Sequence, residues 1–324
     1  MSLSEFELIH KYFSRIDYCD DPGAIALSVG DDCALLTVPD DHQLAISIDT
    51  LVEGVHFPDA DMPFDIAKRS VAVTLSDLAA MGAEPKAFTL ALTMPGSNRV
   101  WLQGFSRGLR EAADEYGIAL IGGDTTKGPL TISIQVHGFV PKDSAIHRSN
   151  ASLGDSIVVS GYLGDARAAL DLFDETLKLQ HPKERYIKER FYRPQARIIL
   201  GQQLRGLASS AIDVSDGLLA DLGHLAKASS LTAQFDPSLL PLSPVLSSHW
   251  SEETARGYAL TGGDDYELCF TVPEAREDEL VKLSEQLGIP LTVIGKMVER
   301  SEHDCIDNRG QPFDGEQTGF QHFS

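Results

Sequence analysis

The apolar and polar positions of this chain fall into segments of period two separated by segments of helical period. Alternation marks strands at 26–38 (ALSVGDDCALLTV), 43–51 (QLAISIDTL), 86–94 (KAFTLALTM) and 130–140 (LTISIQVHGFV). Between them the spacing predicts helices over 64–82 and 98–117, the first stopped by Gly82 with Pro85 just beyond. Residues 141–155 lose both periods and carry turn formers, as a connection between domains does. Beyond it come a short strand at 156–161 and helices near 163–175, 183–191 and 194–206. A strand-to-helix unit at 210–229, a strand near 232–236, a loop and strand at 260–272, a helix at 274–287 and a strand at 291–299 complete the chain. Strands and helices mix in both halves without a repeating βαβ register. The predicted class is therefore α+β, in two domains at 1–148 and 149–324.

A length of 324 residues is enough for two hydrophobic cores, and 43% hydrophobic with 23% charged residues is ordinary for a globular protein. No apolar stretch approaches the roughly 18 residues of a membrane span. Glu5, Glu7 and Lys11 interrupt the apolar start, so a cytoplasmic protein is expected. Cys19, Cys33, Cys269 and Cys305 lack C-x-x-C spacing, which argues against a zinc site and a disulfide framework. Acidic residues outnumber basic ones by 48 to 27, for a net charge of −21. Such a chain repels nucleic acid and anionic membranes, so neither is an expected partner. It repels nucleotides too unless cations intervene.

The acids raise the chemical question. In SAIDVSDGLLADLGHLAKAS (210–229) an apolar run delivers the chain to Asp213, and Asp216 follows where a helix opens. Ser215 or Asp216 suits the N-cap, and Leu218, Leu219, Leu222 and Leu225 form the helical stripe. Capping explains one acid, not two. Asp31 and Asp32 sit in the turn of VGDDCA, and Asp49 breaks the alternation of SIDTLVEGVHF where a strand ends. Asp77 lies in a helix with Val73, Thr74, Ala80 and Met81 three and four residues away, so no helical ion pair accounts for it. Asp124 follows two glycines at a strand end in LIGGDTTKG.

A buried unpaired carboxylate takes up a proton at considerable cost or binds a cation. Oxygen donors select a hard cation. An EF-hand is excluded at 213–224, because Gly217 falls at loop position 5 and His224 at position 12. Magnesium, held by a few protein oxygens and completed by phosphates and water, fits better and reconciles the negative charge with a phosphorylated substrate. No G-x-x-x-x-G-K-[ST] loop and no G-x-G-x-x-G loop is present. Phosphates would then be held through metals, through backbone N–H groups such as those of the Gly122–Gly123 turn, and through a few cations such as Arg148.

Taken in order, GDDCA, SIDTLVEGVHF, TLSDLAAMGAEP, LIGGDTTKGP, RSNASLGD, IDVSDGLLADL, GGDDYEL and the terminal GFQHF resemble the thiamine-monophosphate kinase family. That family belongs to the superfamily of aminoimidazole ribonucleotide synthetase. The resemblance runs over nearly the whole chain. It implies an N-terminal α+β domain that dimerises through its strands, a C-terminal α+β domain, and ATP with several Mg²⁺ ions between them. The reaction implied is ATP plus thiamine monophosphate giving ADP plus thiamine diphosphate, in a homodimer. By the same resemblance the metal ligands fall on Asp32, Ser47, Asp49, Asp77, Asp124, Asp213 and Asp216, with the main-chain carbonyl of Ile48. Nucleotide contacts fall on Gly123, Asp124, Arg148 and Ser215, and substrate contacts on His56, Asp264 and Phe320. Four positions depart from the family pattern, one of them Ser106, which stands where some members place a nucleotide-stacking Tyr. Ile48 replaces a frequent Thr, Asp264 replaces Glu and is one methylene shorter, and Phe320 keeps a ring where Trp or Tyr is usual.

The chemistry agrees. The nucleophile would be a phosphate monoester oxygen, largely ionised at neutral pH because its second pKa is about 6, so no general base is needed. What two facing polyanions need is neutralisation and alignment. The competing readings are another ATP-dependent member of the superfamily, such as aminoimidazole ribonucleotide synthetase, and a non-enzymatic acidic metal-binding module.

Overall fold

A computed structural model describes residues 5–313, except residues 15, 17 and 18. The chain divides into two compact units. One takes the chain up to Leu78 together with Ala83–Asp143; the other takes Ala79–Gly82 and the chain from Ser144 onward.

The first unit begins with helix α1 (Glu5–Tyr12). Strands β1 (Ile25–Leu27) and β2 (Leu35–Leu36) pair antiparallel, so the strand predicted at 26–38 is two short strands around the acidic turn. There follow β3 (His42–Val52), α2 (Pro63–Ala80), β4 (Glu84–Met94), α3 (Arg99–Tyr116), β5 (Ala119–Lys127) and β6 (Thr131–Pro141). The last four strands form one sheet in the order β3-β6-β4-β5. Only β4 and β5 run parallel, and α3 supplies the crossover that a parallel pair requires. Asn98 starts α3 by accepting from the N–H groups of Val100 and Trp101, and Gly117 ends it in the left-handed region at φ 64°. On one sheet face Phe88, Leu90 and Leu92 lie opposite Val136, Ile134 and Ile132, all buried. At the free edge, Leu44, Ile46 and Ile48 of β3 are exposed.

The second unit contains β7 (Ser156–Ser160), α4 (Asp165–Phe173), α5 (His181–Tyr192), α6 (Ile198–Leu204), β8 (Ser210–Asp213), α7 (Leu218–Ala228) and β9 (Thr232–Phe235). It continues through α8 (Pro244–His249), α9 (Glu252–Thr261), β10 (Leu268–Val272), α10 (Glu277–Leu287), β11 (Leu291–Val298) and β12 (Cys305–Asp307). The sheet order is β12-β9-β11-β7-β10-β8, antiparallel except for β12 on β9. Strands β7 and β10 are buried at every position, which explains why they read as apolar runs rather than as alternation. Helices α8 and α9 and strand β12 escape the periodicity. Six residues with two apolar positions carry no helical period, although Ser243 and Ser251 cap α8 and α9 by accepting from the N–H groups of Leu246 and Thr254. Among the described residues no helix is long and apolar enough to cross a membrane.

A buried ion cluster ties the strands of this unit to its helices. Glu267, 1% exposed, accepts from Ser160 Oγ at 2.7 Å, Arg190 Nη2 at 3.0 Å and Arg197 Nε at 2.6 Å. Removing one partner from such a cluster leaves the others charged and desolvated. Glu267→Ala is expected to cost about 3–5 kcal/mol in denaturant melts. A loss below about 1 kcal/mol, the range of a surface pair, would show that solvent reaches the two guanidinium groups.

Candidate active site

In the first unit, the alternation of β3 sends Ser47 and Asp49 to the half-buried side and Ile46 and Ile48 to the exposed side. Helix α2 presents Asp77 to them: Ser47 Oγ donates a short hydrogen bond to the Asp77 carboxylate. Burial and then the charge of Asp77 push the Asp49 carboxyl up to about 6, while a hydrogen bond with the Thr74 side chain opposes them. No basic group contributes to that balance. Asp49 is not at a strand end, as the sequence reading expects. Strand β3 stays paired to β6 as far as Val52 opposite Thr131, and the acid interrupts the apolar pattern because its side faces Asp77. Ile48 is 58% exposed, so only its main chain can serve a ligand on the Asp49 side.

A cavity of about 580 Å³ opens in the same unit, bounded by Asp31, Asp32, Gly122, Gly123, Asp124 and an apolar wall that includes Phe13. The two glycines do not form the turn that the sequence suggests but lie within β5, opposite Thr89 and Leu90. The Asp32 N–H donates to Asp31 Oδ1 at 2.8 Å, and the Thr125 N–H to Asp124 Oδ1 at 2.9 Å. Gly123 has φ 150°, and a Cβ there would lie 1.9 Å from the Leu90 carbonyl oxygen, so no other residue fits this close approach of two strands. Asp124 is also not at a strand end. A register shift at Phe88/Thr89 lets β5 remain paired to β4 as far as Lys127. His56 lies in the turn after β3, where its Nδ1 accepts from the Val52 N–H at 3.0 Å, which leaves the ring proton on Nε2.

In the second unit, neither Ser215 nor Asp216 caps the helix of the 210–229 segment. The N-cap of α7 is Gly217, which makes no side-chain cap bond. Asp221, within the first turn, reaches back instead. Its Oδ2 accepts from the N–H groups of Ser215 (3.0 Å), Asp216 (3.0 Å) and Gly217 (3.2 Å). Burial and then the charge of Asp216 hold the Asp221 carboxyl up to about 7. Nothing local marks Asp221, because the helix dipole by itself favours an acid inside the first turn. Asp213 closes β8 opposite Leu268 and is 3% exposed.

The GGDDYEL segment is laid against this turn by three backbone bonds: Asp264 N–H to Ser215 O, Tyr266 N–H to Val214 O, and Val214 N–H to Glu267 O. At Gly263 a Cβ would lie 2.2 Å from the Ser215 carbonyl oxygen. Asp264 takes φ 73°, and its Oδ1 accepts from the Tyr266 hydroxyl at 3.2 Å. Arg148 is exposed, and its carbonyl accepts from Ser229 Oγ at 2.9 Å. Phe320 lies outside the described residues.

The structure thus brings Ser47, Asp49 and Asp77 together on one side of β3. It places Asp31, Asp32, Gly123 and Asp124 around one cavity, and joins Ser215 to Asp264 through their backbones. Among the described residues no group of three or more His, Cys, Asp or Glu side chains gathers into a ready-made metal cluster. The acids come singly and in pairs.

The AIR synthase related protein N-terminal domain matches residues 30–140, and its C-terminal domain matches residues 153–308. The thiamine-monophosphate kinase of Escherichia coli (strain K12) is 48% identical over 326 residues, covering 100% of this chain and 99% of that protein. This chain belongs to the thiamine-monophosphate kinase family. The crystal structure of the Stenotrophomonas maltophilia K279a thiamine-monophosphate kinase superposes with a TM-score of 0.84 at 44% identity, over 90% of this chain and 92% of that one. AaThiL complexed with AMPPCP and TMP gives 0.79 at 31% identity, over 89% of each chain. As a family member the protein is a kinase, and its two sheet-and-helix units are the two AIR synthase related domains.

Proposed function

We propose that this protein phosphorylates thiamine monophosphate to thiamine diphosphate with ATP, by direct in-line transfer and with several Mg²⁺ ions. The observation that carries the reading is the Asp49–Asp77 pair, two neighbouring carboxylates that no basic group offsets. Burying that charge is unfavourable for the protein alone and favourable once a divalent cation is present. AaThiL, bound to AMPPCP and TMP, supplies the substrate class.

The donors are all oxygens and so fit magnesium. Asp32, Ser47, Asp49, Asp77 and Asp124 would hold it in the first unit, with the Ile48 carbonyl, and Asp213 and Asp216 in the second. When bound, the ions neutralise the phosphate oxygens and the charge that develops during transfer. The chain's own groups do the rest. Ser47 fixes the Asp77 carboxylate by hydrogen bonding. The Gly123 backbone borders the cavity beside Asp124, where phosphate would lie. Arg148 and Ser215 contact the nucleotide, while His56, Asp264 and Phe320 contact thiamine monophosphate. The acceptor phosphate brings its own ionised oxygen, with a second pKa of about 6, so no residue is assigned as general base. The apolar strip of Leu44, Ile46 and Ile48 at a sheet edge supports burial against a second copy, as a homodimer.

The test is ATP consumption with thiamine, thiamine monophosphate and an aminoimidazole precursor as separate acceptors. Thiamine monophosphate should be the preferred acceptor, with ADP as co-product. Preference for unphosphorylated thiamine would overturn the reading, because the carboxylates would then have no acceptor phosphate to serve. Tight Mg²⁺ binding without nucleotide and without turnover, seen by calorimetry, would make the protein a metal-binding module instead.

A further inference from the structure

We propose that Tyr266 is a positioning residue for the acceptor: its hydroxyl orients the Asp264 carboxylate, on a loop clamped from beneath by Asp265 and Glu267. The inference rests on the proposed contact of Asp264 with thiamine monophosphate.

Residues 264–267 alternate in burial. Asp265 is 2% exposed and Glu267 1%, while Asp264 and Tyr266 are half-buried. The two inward acids are anchored to other elements. Asp265 Oδ2 accepts from the Gly164 N–H at 2.7 Å, and Glu267 is held by Ser160, Arg190 and Arg197. From the other side, the chain at Val214 and Ser215 makes the three backbone bonds described above. Between these restraints Asp264 and Tyr266 both take left-handed backbone angles, φ 73° and 50°. Such angles are unfavourable for non-glycine residues and persist only where the surroundings over-determine them. An aromatic residue gains nothing locally from this conformation. What the two angles produce is a pair of outward side chains in contact, with the Tyr266 hydroxyl 3.2 Å from Asp264 Oδ1.

A carboxylate with a fixed hydrogen-bond donor loses less rotamer freedom when a cationic ring or an exocyclic amine docks on it. Thiamine monophosphate offers both groups. Asp264 is one methylene shorter than the Glu usual in the family, so its reach depends on direction rather than length, and Tyr266 sets the direction.

Steady-state kinetics on Tyr266→Phe tests this, because the substitution keeps the ring and removes only the hydroxyl. KM for thiamine monophosphate should rise roughly tenfold, while kcat and KM for ATP stay within about twofold and the melting temperature is unchanged. Asp264→Gly supplies the second arm. Glycine accepts a φ of 73° without strain, so this variant should fold while lacking the carboxylate. In that background Tyr266→Phe should add nothing to KM. An unchanged KM for thiamine monophosphate in Tyr266→Phe overturns the proposal. So does a further increase in the Asp264→Gly background, since Tyr266 would then touch substrate itself. A wild-type protein that leaves thiamine monophosphate unphosphorylated overturns the proposed function, and this inference falls with it.

Discussion

Asp77→Asn should lose turnover by roughly a hundredfold or more while its metal-free form melts at the same temperature as wild type or higher. The asparagine keeps an oxygen for the Ser47 hydroxyl, so the hydrogen bond from β3 to α2 survives. What disappears is a negative charge. Asp49 is raised in the folded state to about 6 from an ordinary 3.8, by burial first and by Asp77 second. A raised carboxyl contributes stability that is present below its unfolded pKa and is lost as pH rises through its folded one. In wild type that loss runs between about pH 4 and pH 6, and neutralising Asp77 shrinks it. At neutral pH the variant should therefore be as stable as wild type or somewhat more stable. Thermal melts in EDTA across that pH range, alongside turnover over a Mg²⁺ titration, measure both halves. A variant that melts far earlier in EDTA, with its metal response intact, would make Asp77 a structural acid.

Asp216→Asn and Asp213→Asn should each cost roughly a hundredfold in turnover, with Asp213→Asn at least as damaging. Sequence alone admits a bland alternative at Asp216, since Asn caps a helix about as well as Asp and a capping residue would tolerate the change. The structure removes that alternative. The N-cap position of α7 is Gly217 and no side chain caps the helix, so Asp216 is not its capping residue. Losing its charge should also ease Asp221, which is held up to about 7 by burial and by Asp216, so the melt should stay level or rise. At Asp213 the amide is nearly isosteric, and the strand pairing to Leu268 is a backbone matter that the substitution leaves alone. Turnover of both variants over a Mg²⁺ titration, with melts as the folding control, decides the matter. Wild-type turnover in both at low millimolar Mg²⁺ would reduce this motif to a turn.

By itself the sequence determined the α+β class, the alternating strands β3, β4 and β6, the long helices α2 and α3, and the set of acids without basic neighbours. Each of these is local. Period, capping residues and the charge of residues three and four positions away are properties of a short window of chain. The family resemblance was legible for a related reason, since it rests on short motifs in a fixed order. Tertiary structure decided the rest. Asp49 and Asp124 look like strand ends because a polar residue interrupts an apolar pattern, yet pairing with β6 and β4 carries both strands past them. Asp49 acquires its character from burial and from Asp77, 28 positions along the chain, and neither has a period to betray it. The turn before α7 is held by Asp221, and the N-cap falls on Gly217 rather than on the Ser or Asp that propensity favours. Gly217 brings the backbone too close to Thr261 for a conventional cap residue, and a carboxylate one turn later could reach three donors at once. The left-handed angles at Asp264 and Tyr266 were invisible for the same reason. No local preference produces them; they exist because Asp265, Glu267, Val214 and Ser215 hold the chain on both sides.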